Sequence, residues 1–307
     1  MIIVGLTTIP ERLEKGVIKK CIKSILNQTI PVDYIIINIP EVSCKGVKYN
    51  YNAARELSKL DNKIIIRWGI IDEGPITKIF GTLDFIKSKG IIAGKIVLVD
   101  DDVEYHKLAI EYLISQNYPA VGFVGIKLSI NIINNKVDGI IYYDKKEQGE
   151  IDFLETFGSV CYDINLFNIN NMRLWVKQLP SETFYVDDIV IGAWLWKNNV
   201  IPRIINIPEN LKLCNHDAEN TPELSSDNMM FRNIKVLSEL YSLGYFSNIS
   251  KPSNISKPSN ITKPSNISKP CFKFKYHKII IFLLFFIFFI ILFIKQNKNY
   301  LLKKLKN

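Results

Sequence analysis

The sequence predicts an α/β protein: a mostly parallel sheet flanked by helices. Three observations carry this expectation. In residues 1–115, short apolar runs alternate with segments whose apolar residues recur every three to four positions, a βαβαβαβ rhythm. Polar clusters fall just after several of the apolar runs, at Thr7-Thr8, Asp72-Glu73 and Asp100-Asp101-Asp102, so one sheet edge collects them. The 307 residues, 48% of them apolar, allow one large domain or two small ones with an ample core.

Residues 2–6 read as a short buried strand. Leu13, Val17, Ile18, Cys21, Ile22, Ile25 and Leu26 then mark one apolar face of a helix. Residues 34–39 form a second strand, bounded by Pro40. A short helix covers 53–60 and a third strand 64–68. The Gly74-Pro75 pair introduces a helix over 77–87. A fourth strand, 96–99, ends in the three aspartates, and a helix over 108–115 follows. The second half is more mixed. Residues 120–124 and 139–143 read as strands, and 152–162 carry the glycine-containing segment Glu155-Thr156-Phe157-Gly158-Ser159. Asp187-Asp188 precede an apolar helix over 189–196. Residues 202–207 form a further strand, Cys214-Asn215-His216-Asp217 a loop, and 229–243 a closing amphipathic helix.

The aspartates after the fourth strand are the most informative residues. Adjacent like charges repel, and a half-buried carboxylate without a partner is costly. In an extended segment residues i and i+2 point the same way, so Asp100 and Asp102 face one ion while Asp101 points elsewhere. Hard oxygen ligands suit Mg²⁺ or Mn²⁺, which commonly bridge protein carboxylates to substrate phosphates. A plainer reading stands beside this: Asp102 caps the following helix.

With these pieces in order, residues 1–245 resemble a glycosyltransferase of the Rossmann-like GT-A fold, family-2-like. Asp100-Asp101-Asp102 looks like that family's DxD motif. Phe157-Gly158-Ser159 resembles its donor-approaching glycine loop, and Val186-Asp187-Asp188 its acidic motif. His216 resembles the histidine that completes the metal shell. The openings Leu6-Thr7-Thr8-Ile9-Pro10-Glu11-Arg12 and Ser24-Ile25-Leu26-Asn27-Gln28-Thr29 are similar to those of many members. The resemblance implies a nucleoside-diphosphate sugar donor held by Thr7, Thr8, Arg12, Asp72, Lys78, Asp100, Asp101 and Gly158. It implies Mn²⁺ or Mg²⁺ on Asp100, Asp102 and His216, and Asp188 or Asp187 as the base of an inverting transfer. The acceptor is a glycan, protein or lipid. The acidic motif reads Asp-Asp rather than the commoner Glu-Asp, which leaves the choice of base open. Each role has a bland rival: Asp187 and Asp188 as helix caps, Lys78 as a solvated lysine, His216 as a surface residue, Trp194 and Trp196 as packing.

Three competing readings differ in particular residues. A haloacid-dehalogenase-type phosphohydrolase needs Thr or Val two residues after its second aspartate, and Asp102 is followed by Val103-Glu104. A nucleotidyltransferase shares the nucleotide and metal logic but calls for a Gly-rich, Arg-containing loop after the first strand, where this chain has Thr7-Thr8-Ile9-Pro10. A catalytically decayed binding module would not need to keep every acidic position.

The net charge of +9 belongs to the tail. Residues 247–307 hold 12 lysines and no acid, so residues 1–246 carry 27 basic and 30 acidic residues, about −3. This argues against a nucleic-acid partner, whose binding domains carry a basic stripe. Residues 247–270 are four hexapeptides, SNISKP with one SNITKP, whose regular prolines bar a helix and predict an extended spacer. Each copy holds a sequon, at Asn248, Asn254, Asn260 and Asn266. A basic segment, 271–278, leads to sixteen uncharged apolar residues, 279–294. At about 24 Å as a helix this run is slightly short of a bilayer core, and Lys278 and Lys295 can snorkel to make up the difference. It predicts a single-pass C-terminal transmembrane anchor followed by a basic tail, 295–307. Lysines on both sides leave its orientation undecided. The N-terminus lacks a signal-peptide pattern and the five cysteines show no metal spacing, so the catalytic domain is expected in the cytosol. In that case the sequons go unused. The Ile/Asn/Lys-rich composition fits an A/T-rich genome such as that of a parasite or large DNA virus.

Overall fold

A computed structural model describes residues 1–131, 136–143, 148–206, 214–215 and 229–245. Thus His216, the four sequon asparagines and the apolar run 279–294 lie outside the described residues. In chain order the elements begin with β1 (Ile2–Thr7), α1 (Pro10–Glu14), α2 (Val17–Leu26), β2 (Tyr34–Pro40), α3 (Tyr51–Ser58), β3 (Ile64–Ile70), α4 (Thr77–Ser88) and β4 (Lys95–Leu98). Then come β5 (Val103–Glu104), α5 (Ala109–Ser115), β6 (Ala120–Gly122), β7 (Gly125–Asn131), β8 (Lys136–Tyr143), β9 (Gly149–Glu150), β10 (Phe153–Leu154) and β11 (Val160–Asp163). The last are α6 (Ile169–Val176), α7 (Asp187–Lys197), β12 (Arg203–Ile204), β13 (Cys214–Asn215) and α8 (Met229–Ser242).

The main sheet has the order β3-β2-β1-β4-β11-β6-β12-β9. Strands β1 to β4 are mutually parallel, and β12 is parallel to β6. Strand β11 runs antiparallel to both of its neighbours, and β9 antiparallel to β12. The sheet is therefore mostly parallel, as the βαβ rhythm implies. From β1 the chain winds outward through β2 to β3, then returns to place β4 on the other side of β1. The topological switch point lies between β1 and β4, and open α/β sheets bind ligands beyond the carboxyl ends of the strands at such a point.

Apolar residues alternate between the two faces of the strands. Ile3, Ile36, Ile96 and Leu98 pack toward α4, α6 and α7. Val4, Ile35, Ile37, Val97 and Val99 pack toward α2, α3 and α5. Helices on both faces explain why the central strands read as nearly continuous apolar runs. Helix α4 lies close against the sheet. A Cβ at Gly5 would collide with Thr82, and one at Gly81 with the Asn38 side chain. Both glycines thus leave room for a side chain of the facing element, and that close approach fixes Lys78 in the first turn of α4.

Several elements differ from the sequence expectation. The single helix expected through Leu13 and Leu26 is two, because Gly16 adopts a left-handed φ of 71° at the junction. Of the strand expected over 202–207, the described residues form only Arg203–Ile204. Cys214–Asn215, expected as loop, pairs antiparallel with Val103–Glu104. Strand β7, which pairs with β8 and β10, and helix α6 were not anticipated. Cys21, Cys44 and Cys161 are free thiols. Among the described residues no helix is long and apolar enough to cross a membrane.

Candidate active site

The segments after β1 and β4 meet at the switch point. The Thr8 hydroxyl donates to Asp101 Oδ2 at 2.5 Å, and Arg12 Nη1 to Asp101 Oδ1 at 2.6 Å. Arg12 Nη2 reaches Asp102 Oδ2 at 2.8 Å. The Asp101 side chain is 5% exposed, against 30% for Asp100 and 26% for Asp102. The outer two carboxylates therefore stand at the accessible side and the middle one is a buried tie between β4 and α1. Asp102 caps no helix: β5 follows it, and α5 begins at Ala109 with Leu108 at its cap position.

A second carboxylate group comes from α7 and the turn after β10. Asp187 and Asp188 open α7, whose cap position is Val186, with no side-chain cap. Their carboxylates serve tertiary contacts instead. The Thr156 amide donates to Asp188 Oδ1 at 3.2 Å, and the Thr156 hydroxyl to Asp100 Oδ1 at 3.2 Å. Lys78 joins the two groups. Its ammonium lies 2.6 Å from Asp100 Oδ1, 2.9 Å from Thr156 Oγ1 and 3.0 Å from Asp187 Oδ2, with its side chain 5% exposed. Asp187 Oδ2 is buried and has no hydrogen bond of its own.

The remaining predicted residues sit nearby in supporting roles. The Thr7 hydroxyl donates to the Asn38 carbonyl, and the Thr8 carbonyl accepts from the Tyr49 hydroxyl. Asp72 accepts from the amides of Cys44 and Gly74, tying two loops together. Gly158 is packed so that a Cβ would meet Val124, which accounts for the glycine without a ligand. Lys78 is not the solvated lysine of the bland reading, and its ammonium is occupied by protein groups rather than open to a diphosphate. Arg12 is likewise engaged by Asp101 and Asp102. The Trp194 and Trp196 indoles donate to the Leu166 and Asp152 carbonyls, as packing residues do. Strand β13 ends at Asn215 opposite Val103, the residue after Asp102.

Three contributors escaped sequence reasoning. The Tyr105 hydroxyl, buried among apolar groups, accepts from the Asp100 amide at 2.9 Å and fixes the aspartate's backbone. Thr156 links both carboxylate groups. Glu155 adds a further carboxyl, and its amide is held by the Val124 carbonyl. Nothing in local spacing marks Tyr105 or Thr156. Glu155 stands in the glycine-containing segment, where an acid beside a glycine turn is a usable signal. Ser159, which closes this turn, holds φ 69° and ψ 130°, a conformation that is strained for a non-glycine residue.

The charges shape one another. Burial alone would lower the Lys78 pKa, but Asp100, Asp187 and Asp188 outweigh it and hold the ammonium charged. Burial opposes ionisation of Asp100, and Lys78 overcomes it, so that carboxyl stays low. Burial pushes Asp102 up to about 6 despite Arg12. Burial, then Asp100 and Asp187, push Glu155 to about 7. Burial, then Asp187 and Glu155, raise Asp188 well above the ordinary carboxylate range.

Asp100 and Asp102 fit a hard divalent cation. They offer two accessible carboxylates, a donor set that suits a cation completing its shell with water and phosphate oxygens. Among the described residues no set of three or more His, Cys, Asp or Glu side chains converges as a closed metal cage.

No known protein family and no curated protein matches this chain. Solved structures of similar course include a 4-diphosphocytidyl-2C-methyl-D-erythritol synthase, 9% identical, covering 77% of this chain and 98% of that one at a TM-score of 0.43. A nucleoside-diphosphate-sugar pyrophosphorylase from Vibrio cholerae RC9 is 13% identical, with 71% and 97% covered and a TM-score of 0.45. An inositol-1-phosphate CTP transferase from T. maritima is 12% identical, with 76% and 95% covered and a TM-score of 0.42. These neighbours are nucleotidyltransferases of the nucleotide-sugar pyrophosphorylase kind, not the glycosyltransferases of the sequence resemblance. The likeness is coarse and assigns no activity.

Proposed function

We propose that this chain is a divalent-cation-dependent transferase whose substrate carries a nucleoside diphosphate, and that the group it moves is a sugar. The observation that carries this reading is the pairing of two carboxylate groups at the switch point: Asp100 and Asp102 on the accessible side, Asp187 and Asp188 facing them through Thr156 and Lys78. A bound Mn²⁺ or Mg²⁺ would supply Lewis-acid stabilisation of the diphosphate leaving group. Asp100 and Asp102 would hold that cation. The acceptor hydroxyl, of a glycan, protein or lipid, gives its proton to the Asp187–Asp188 pair.

Two features favour sugar transfer. The connection from β1 to α1 holds only Thr8 and Ile9, too short to wrap a triphosphate, and Arg12 behind it is engaged by Asp101 and Asp102. The raised carboxyl group of Asp188 makes it a stronger base than an ordinary carboxylate, which suits removal of a hydroxyl proton. Nucleotidyl transfer is the second reading, because the Asp100–Asp102 clamp serves attack at phosphorus as well as attack at the anomeric carbon.

The test offers the full chain two substrate panels, with and without Mn²⁺, beside Asp102→Ala. Release of nucleoside diphosphate from one nucleotide sugar, lost about a hundredfold or more in Asp102→Ala, supports sugar transfer. Pyrophosphate release from a nucleoside triphosphate and a sugar 1-phosphate establishes the second reading instead. Nucleotide binding without turnover in either panel leaves a binding module.

A further inference from the structure

We infer that Lys78 is the internal counter-cation of this site, setting its affinity for a divalent cation and making Asp187 a positioning residue while Asp188 is left to meet the substrate. The inference rests on the cation-dependent reading above and deepens it. Lys78 is placed with unusual care. Its carbonyl accepts from both the Asn38 amide nitrogen and the Thr82 hydroxyl, which pins the first turn of α4 against β1 and β2. Its ammonium bridges carboxylates from two distant elements, Asp100 after β4 and Asp187 at the start of α7.

A buried ammonium that touches one carboxylate would be neutralised already, so the second partner has another consequence. It divides the lysine's charge between the cation-binding carboxylate and the base-bearing helix. Asp187 is therefore tied to the ammonium, whereas Asp188 accepts a hydrogen bond from a neutral amide. One ammonium also sits among four carboxyl groups, those of Asp100, Glu155, Asp187 and Asp188. Lys78 and the metal thus compete for the same negative charge.

The competition predicts opposite signs for two neighbouring substitutions. Mn²⁺ binding to the full chain is measured by titration without nucleotide, at one pH. Lys78→Met removes the competing charge and tightens Mn²⁺ binding about tenfold. Asp187→Asn leaves more of the lysine's charge facing Asp100 and weakens it by about three- to tenfold. Lys78→Arg keeps the charge and stays near the parent value. General damage to the fold would move all three the same way, and that result overturns the inference while the cation-dependent reading stands. Absence of Mn²⁺ binding in the parent and in Lys78→Met alike removes both.

Discussion

Asp187 and Asp188 are neighbours in the chain and share the first turn of α7, yet their surroundings differ. Asp187 faces the Lys78 ammonium, and Asp188 faces the Thr156 amide with other carboxyl groups around it. Burial and the charges of Asp187 and Glu155 hold the Asp188 proton more tightly than usual. As a base Asp188 works only when ionised, so turnover is expected to climb as pH rises through its raised pKa. Burial, then the charges of Asp100 and Asp187, push Glu155 up to about 7, and once ionised it adds negative charge beside Asp188. Replacing Glu155 with Gln removes that charge, lowers the Asp188 pKa and moves the acid limb of the kcat/KM profile to lower pH. A profile whose acid limb stays in place in Glu155→Gln would show that Glu155 does not act on the base. The shift is read from position, not height, so a general loss of activity does not mimic it.

At the scale of elements, the close approach of α4 to the sheet is what aims Lys78 at Asp100. Asn38, fully buried in β2, donates to the Leu6 and Lys78 carbonyls and to Thr82, so one side chain ties strand and helix together. Gly81 leaves room for it. Gly81→Ala forces a methyl group into the Asn38 amide and should cost about 1–3 kcal/mol, as overpacked cores do. Denaturant unfolding checks this, and a midpoint equal to the parent's would mean that α4 has slack the structure does not show. Much of this architecture is legible in the sequence. Apolar runs ending in Pro40 or Asp100 mark β2 and β4, and the aspartate cluster marks the sheet edge. Other parts were legible but passed over: Ile126, Leu128 and Ile130 alternate with polar residues along β7, only two residues beyond β6. Helix α6 spans eight residues, too few for a periodic signal. The site divides in the same way. Carboxylates announce themselves by clustering. The roles of Lys78, Tyr105 and Thr156 arise only when α4, the segment after β4 and the turn after β10 meet in space, and no local pattern records that meeting.

For the whole molecule, charge and hydropathy are distributed with a sharp boundary. Residues 1–246 carry about −3, and the twelve lysines beyond them surround a uniformly apolar run. An exposed run of sixteen apolar residues has no favourable place in water, whereas flanking lysines at both ends suit the two interfaces of a bilayer. The proline-punctuated hexapeptides between domain and run would hold the site off the surface without fixing its orientation. A membrane-tethered transferase of this kind is proposed to act on acceptors at or near that surface. Two preparations test the arrangement: the full chain and a chain ending at residue 246. The full chain should remain with membranes through an alkaline wash that strips peripheral proteins. The shorter chain should stay in the soluble fraction and turn over its donor at the parent rate, because every described contact of the site falls between Thr7 and Asp188. A full chain that washes free would remove the anchor. A folded short chain that no longer turns over its donor would show that the tail contributes to the site rather than only carrying it.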